Sequence, residues 1–450
     1  YGVNALNALT SGNDNTAFGD NAMPVATTAN NNVAVGSAAG LALTTAAGNT
    51  LIGTNAGLAV TTSANNVALG LNALSSAVTN GSNTAIGTSA LSTVNSAVIG
   101  EGIENTAVGV SALSGLTTGS YNTSVGQSAG SSLTTATNNI AVGRNTQAGT
   151  TASNNTIVGT TAGSAALGAN NTALGVNTLN SAAVAVTDLV AIGANALTDA
   201  VTTNGTVAVG SSALTALTTG ATNTAVGSTA GSTITTGSSN TLVGHTTASA
   251  ATASNNTIVG ATAGSTALGN NNTSVGTNTL NSAAAAVTDT VAIGANALTS
   301  ALTTGANGTV AVGSSALTAL TSGAANTAIG QNSQQLVTTG SNNTSVGFAA
   351  VDASAVDVVH LVAVGANALG GAVTATADGA VAVGSNALVA LTTGASNTAI
   401  GKSAGVDITT GSSNTIVGHT ATSAATVSNN TLIGAAAGIN TLGGNNTSVG

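Results

Sequence analysis

A glycine preceded by a large apolar residue returns at a nearly fixed interval along this chain, and that return limits the folds open to it. Gly19, Gly36, Gly53, Gly227, Gly244, Gly330 and Gly401 are typical members of the series. From Gly2 to Gly450 there are 27 steps, and 25 of them are 16 to 19 residues long. A short period repeated this often describes stacked copies of one supersecondary unit, none of which buries a core alone. The exception lies between Gly87 and Gly109. Gly100 divides that stretch, and residues 88–109, with Glu101 and Glu104, read as an irregular coil carrying an inserted loop.

Each coil reads close to N-T-A-V-G-x-x-A-L-x-x-L-T-T-G-x-x. Three residues before the marker glycine stands Thr in 17 coils and Val or Ile in 9, with Ala97 the exception. A small residue follows, then a large apolar one such as Phe18, Val35 or Ile52. Alternation with β-branched residues predicts a short strand, and the glycine ends it in a conformation closed to residues bearing a Cβ. The A-L or A-G pair after the glycine, as at Ala213-Leu214 and Ala230-Gly231, predicts a second short strand. T-T-G-x-x carries turn chemistry. The fold class expected is therefore all-β: a parallel β-roll or β-solenoid of about 27 short coils, two short strands in each.

Asn stands four residues before the marker glycine in 20 coils, among them Asn15, Asn223, Asn240, Asn326, Asn397 and Asn446. Stacking would align these amides into a ladder in which each donates to and accepts from its neighbours. The coils without that Asn, such as Leu189-Val190 and Ala380-Val381, carry Val at the next position, apart from the irregular coil at Ser96. At one strand spacing per layer, 27 coils would make a rod of about 130 Å. A thin roll would leave its row of Val, Ile and Leu partly exposed along its length. A long apolar stripe calls for a partner, and three copies sharing it on one axis predict a homotrimer.

Residues 1–450 read as one continuous repeat array. A longer period overlies the coils: 144–244 and 245–347 match coil for coil, and 348–450 runs the same units in shifted order. "NTLNSAAVAVTDLVAIG" from Asn177 returns as "NTLNSAAAAVTDTVAIG" from Asn278. Both ends fall at the same point of the repeat without a polar capping coil, so a segment of a longer protein is expected.

Composition removes several functions. Charged residues are 3% and aromatics 1%, and Arg144 and Lys402 are the only basic side chains. Nucleic-acid binding needs a basic footprint that this chain lacks. No apolar run is long enough to span a bilayer as a helix, so no membrane insertion by this segment is expected. His245 and His419 occupy equivalent positions just after a marker glycine and read as exposed turn residues copied by duplication. Asp352 and Asp357 near His360 lack a nucleophile or pocket, Asp188 and Asp289 read as solvated turns, and Asp378-Gly379 reads as a turn. The N-x-T sequons at Asn154, Asn255 and Asn429 are attributed to the Asn ladder. Tyr1, Phe18, Tyr121 and Phe348 are too scattered for a sugar-binding platform. No catalytic residue, cofactor or metal site is expected, and the chain is not expected to be an enzyme.

The coil resembles that of two groups of fibres. "TVAVG" at Thr206–Gly210 and "LVAIG" at Leu189–Gly193 resemble the YadA-like head of trimeric autotransporter adhesins. Asn122–Gly126 and Asn223–Gly227 with their flanks are similar to repeat-rich fibre proteins, often phage tail fibres, that carry a C-terminal self-cleaving chaperone domain. The resemblance covers essentially the whole chain. It implies a trimeric extracellular fibre, on a cell surface or a virion, that attaches to a cell-surface or matrix receptor or acts as a rigid spacer. A self-assembling filament or sheath subunit is the alternative, and an ice-binding solenoid a minor one. The latter would need a T-x-T array, and the strands here read T-x-V.

Overall fold

A computed structural model describes the chain except for residues 96, 97, 99, 164–166, 183, 266, 355, 356 and 439–442. Ser96 and Ala97, singled out above, lie outside the described residues. The chain divides into two compact units, Tyr1–Asn223 and Thr224–Gly450. The repeat runs through this division without marking it.

In each unit the residues before the marker glycines form the strands. The first unit holds 12 strands of three residues, from Thr16–Phe18 to Val207–Val209. The second holds 14, from Thr224–Val226 to Thr447–Val449. Within a unit each strand pairs in parallel with the next, in one unbroken register. Thr84 lies on Thr106, Ala85 on Ala107 and Ile86 on Val108 in the first unit. Thr327 lies on Thr344 and Ile329 on Val346 in the second. The architecture is an all-β parallel β-solenoid. Among the described residues the only helical pieces are two single 3₁₀ turns, Thr304–Ala306 and Ala375–Ala377.

Two expectations need correction. The first concerns the number of strands per coil. The A-L segment is a turn, because the residue after the buried Ala takes a left-handed conformation: φ is 51° at Leu74, 50° at Leu91 and 50° at Leu113. Gly40, Gly57 and Gly130 hold the same place with φ near 60°, where glycine costs no Cβ strain. The turns still stack by hydrogen bonds, Leu74 N–H to Ala90 O at 2.9 Å and Leu91 N–H to Ala112 O at 2.9 Å. Layer-to-layer pairing therefore continues around the coil although the named strand takes only three residues of it, and at the expected second strand a single parallel bridge forms, Ala248 with Gly264. The second concerns Gly100, which closes no layer. The strand Thr84–Ile86 pairs directly with Thr106–Val108, so no strand layer intervenes between them and the described strands number 26.

The core is a narrow column. The middle residue of the strand points inward, and Ala34, Leu51, Ala85 and Ile157 are fully buried. In several layers the turn residue opposite supplies the complementary volume. Where the strand carries Ala85, the turn carries Leu91; where it carries Leu51, the turn carries Gly57. A Cβ at Gly57 would meet the Leu51 side chain at 2.7 Å, so the large strand residue there requires a small turn residue, whereas Ala34 with Gly40 and Ala225 with Gly231 are small on both sides. A third side of the coil is a threonine rung. Thr117 N–H donates to Thr134 O at 2.8 Å, and its Oγ1 reaches the same oxygen at 3.1 Å.

Candidate interaction face

The chemistry-bearing residues do not converge. His245, His419, Arg144 and Lys402 all stand just after a marker glycine and all are exposed. His360 pairs with Asp378 of the next layer, Nδ1 to Oδ1 at 3.0 Å, and both side chains are more than half exposed. Asp352 and Asp357 are not its partners. Asp352 is held above its ordinary value by burial alone. Asp289 is held below its ordinary value by hydrogen bonds from Asn271 and then Thr288; the Asn271 Nδ2 donates to its Oδ1 at 3.0 Å. Asp188 takes the corresponding bond from Asn170 at 3.2 Å. Asp378 precedes Gly379, whose φ is 74°. Among the described residues no three His, Cys, Asp or Glu side chains gather to hold a metal, and no helix is long and apolar enough to cross a membrane.

What the fold assembles instead is a pair of columns inside and a face outside. The marker glycines stack on one another. Gly19, Gly53 and Gly401 have φ of 134°, and a Cβ on each would lie 2.5 Å from the carbonyl oxygen of the glycine one layer on. Gly36, Gly227, Gly244 and Gly330 repeat the arrangement toward Gly53, Gly244, Gly260 and Gly347.

Beside them runs the asparagine ladder. Asn32 Nδ2 donates to Asn15 Oδ1 at 3.0 Å, Asn49 to Asn32 at 3.1 Å, and Asn122 to Asn105 at 3.1 Å. The same oxygen also takes the next backbone N–H, as Asn122 Oδ1 does from Asn139 at 3.0 Å. The spare N–H of each amide closes onto turn carbonyls. Asn240 reaches Ala253 O, Asn326 reaches Gly340 O and Asn397 reaches Gly411 O. Asn446 bonds Asn430 Oδ1 at 3.3 Å, and Asn223 is fully buried. Where the ladder stops, the last oxygen still has a donor: Leu189 N–H to Asn171 and Leu361 N–H to Asn343, both 3.0 Å.

Sequence reasoning missed a second, exposed ladder. Asn55 Nδ2 donates to Asn72 Oδ1 at 3.0 Å and Asn4 to Asn21 at 3.1 Å. These residues have positive φ, a region in which Asn is several-fold enriched. The sequon asparagines belong to an outer corner too. Asn154, Asn255 and Asn429 are exposed with φ of 60° to 64°, whereas the buried ladder uses Asn155, Asn256 and Asn430. The ladder therefore does not account for them, and the left-handed corner does. The aromatic residues also need revision: Tyr1 and Phe18, one period apart, stack with centroids 5.4 Å apart.

The first and third residues of every strand point outward. The third is always apolar and only partly covered: Leu69 is 43% exposed, Leu174 48% and Ile400 43%. Threonine or a β-branched aliphatic residue stands beside it, half-buried, as at Thr84 and Val190. Each unit thus carries a continuous strip, one strand wide, of threonine and aliphatic side chains at the pitch of the stack.

These features define a repeat protein of the parallel β-solenoid class. Compared with protein-family models and with curated proteins, the chain matches none.

Proposed function

We propose that this chain is a structural and adhesive segment of an extracellular fibre that assembles through its outward strand face, with three copies sharing the aliphatic row on a common axis. The observation that carries the reading is that row, partly exposed in layer after layer of both units. Each strip is about 10 Å wide and some 55–65 Å long from strand geometry, or roughly 600 Å². The strip of each unit is comparable with the roughly 800 Å² per partner of a standard stable interface.

The pitch argues for another copy as the occupant. A periodic face is matched along its length only by a surface of the same rise, and a second solenoid of this sequence has that rise by construction. A hydrogen-bonded stack with few charges and no convergent chemistry among the described residues suits a spacer, or a surface that binds a cell-surface or matrix receptor, on a bacterial cell or a virion. Light scattering on the purified chain tests the assembly: a mass three times 41.5 kDa is expected, and a monomer at micromolar concentration overturns it. Electron microscopy separates finite rods from the continuous filaments of a sheath subunit.

A further inference from the structure

The outward row is not uniform, and its irregularities follow the interior. In 20 of the described layers the ladder Asn is present, and the outward first residue of the strand is Thr in 17 of them. The six layers without Asn all carry Val there, and they come as three adjacent pairs. Val190 and Val207 are neighbours in the first unit; Val291 and Val310, then Val362 and Val381, are neighbours in the second. All six are half-buried. With Ile192, Val209, Ile293, Val312, Val364 and Val383 beside them, each pair makes a wholly aliphatic square in a face that is otherwise half threonine.

We infer that these valine doublets set the axial register between copies of the chain. The inference rests on the copy–copy reading above. Copies placed in parallel and in register bring doublet against doublet and threonine against threonine, so hydroxyls meet hydroxyls and methyls meet methyls. A slip of one layer sets a threonine hydroxyl against valine at the edge of each doublet, where it is desolvated without a partner. A slip of four layers superposes one doublet of the second unit on its other doublet but leaves the remaining doublet layers of that unit against threonine.

Direction is encoded as well. Read as Thr or aliphatic, the order in the second unit is the same from either end. In the first unit Val33, Val67 and Ile140 interrupt the threonines singly and the doublet lies at the end, so its order differs when reversed. Only the parallel, in-register arrangement matches every layer of both units. Discrimination comes from the mismatch penalty more than from added attraction.

The test uses the absence of native cysteine. A spin label on Tyr121→Cys, an exposed corner position, reports the distances between equivalent points of assembled copies. One narrow distance is expected for the otherwise unaltered chain. Changing all six doublet valines to threonine, the residue that 17 other layers carry at that place, should preserve the solenoid by circular dichroism. It should also broaden the distances beyond the parent's, because axial offsets in multiples of about one strand spacing add in quadrature to the lateral separation of the labels. An unchanged narrow distance in an assembly of unchanged mass overturns the register role and leaves the shared face standing. A monomeric parent chain overturns both. If the sixfold variant does not fold, the three pairwise variants are measured instead, and narrow distances in all three overturn the proposal equally.

Discussion

Gly244 and Asn122 exemplify two single residues on which a layer depends. Gly244 has φ of 139°, and a Cβ there would run into the Gly260 carbonyl of the next layer. Gly244→Ala meets both backbone strain and a backbone clash that no side-chain rotation relieves. A loss of about 3 kcal/mol is expected, seen as a lowered melting temperature by circular dichroism; an unchanged melt would mean the glycines are not in contact. Asn122→Leu strips partners from the carbonyls of Ser120 and Ala136 and from the Asn139 N–H, all at buried positions of the ladder. Unsatisfied buried groups cost about 1–3 kcal/mol each, so this variant should also melt earlier. At the outer corner the effect is one of titration. Asn271→Ala removes the main bond holding the Asp289 carboxyl low, and its pKa, followed by carboxyl NMR, should rise toward the ordinary 3.8. A depressed pKa stabilises the fold above 3.8 and loses that contribution as pH falls through the folded value. The parent should therefore lose slightly more stability than Asn271→Ala on acidification below pH 4.

One strand with its turn is the next unit of scale, and there two kinds of layer show a size exchange across the column. Ala85 faces a layer with Leu91 at the turn, and Leu51 faces one with Gly57. Ala85→Leu alone overfills its layer and should cost about 1–3 kcal/mol. Adding Leu91→Gly recreates the Leu51–Gly57 arrangement and should restore most of the loss in a double-mutant cycle; simple additivity of the two losses would refute the exchange. This scale also shows what could be read in advance. The strand was legible because T-A-V-G carries β-branched residues at its two outward positions, and the glycine because nothing else fits there. The ladder at Asn122 was legible from position alone. The A-L segment was misread because Ala-Leu has ordinary propensities, and the left-handed φ of Leu91 is imposed by stacking rather than preferred by leucine. Its one available signal was that glycine alternates with leucine at that position. The outer corner left a similar trace, Asn, Asp, Ser or Gly recurring five residues before the marker glycine. Gly100 misled because a glycine after an apolar residue fits the pattern without having a layer to close.

For the molecule, the consequence of layers that touch only their neighbours is that whole layers are interchangeable and fractions of one are not. Residues 106–122 make up one full period, from the strand Thr106–Val108 to the next ladder residue, Asn122. Deleting them joins Asn105 to Thr123 and recreates the Asn-Thr junction of the repeat, so the ladder and the glycine column close over the gap. In a nearest-neighbour stack such a deletion removes one layer's own free energy and one interface, and the first unit should still fold with a melting temperature close to that of the parent. Deleting residues 106–113 shortens the chain less but removes a strand, a marker glycine and a turn while leaving the rest of the coil with no layer to complete. It places Ser114 after Asn105, so the strand positions of that coil are filled by Ser114, Gly115 and Leu116. A polar residue and a glycine then stand where a β-branched outward residue and a buried small one are needed, and no marker glycine follows. The shorter deletion should therefore be the more damaging of the two, by thermal melting and by protease resistance. The reverse order would mean that stability is spread through the chain by something other than the stacking of complete coils.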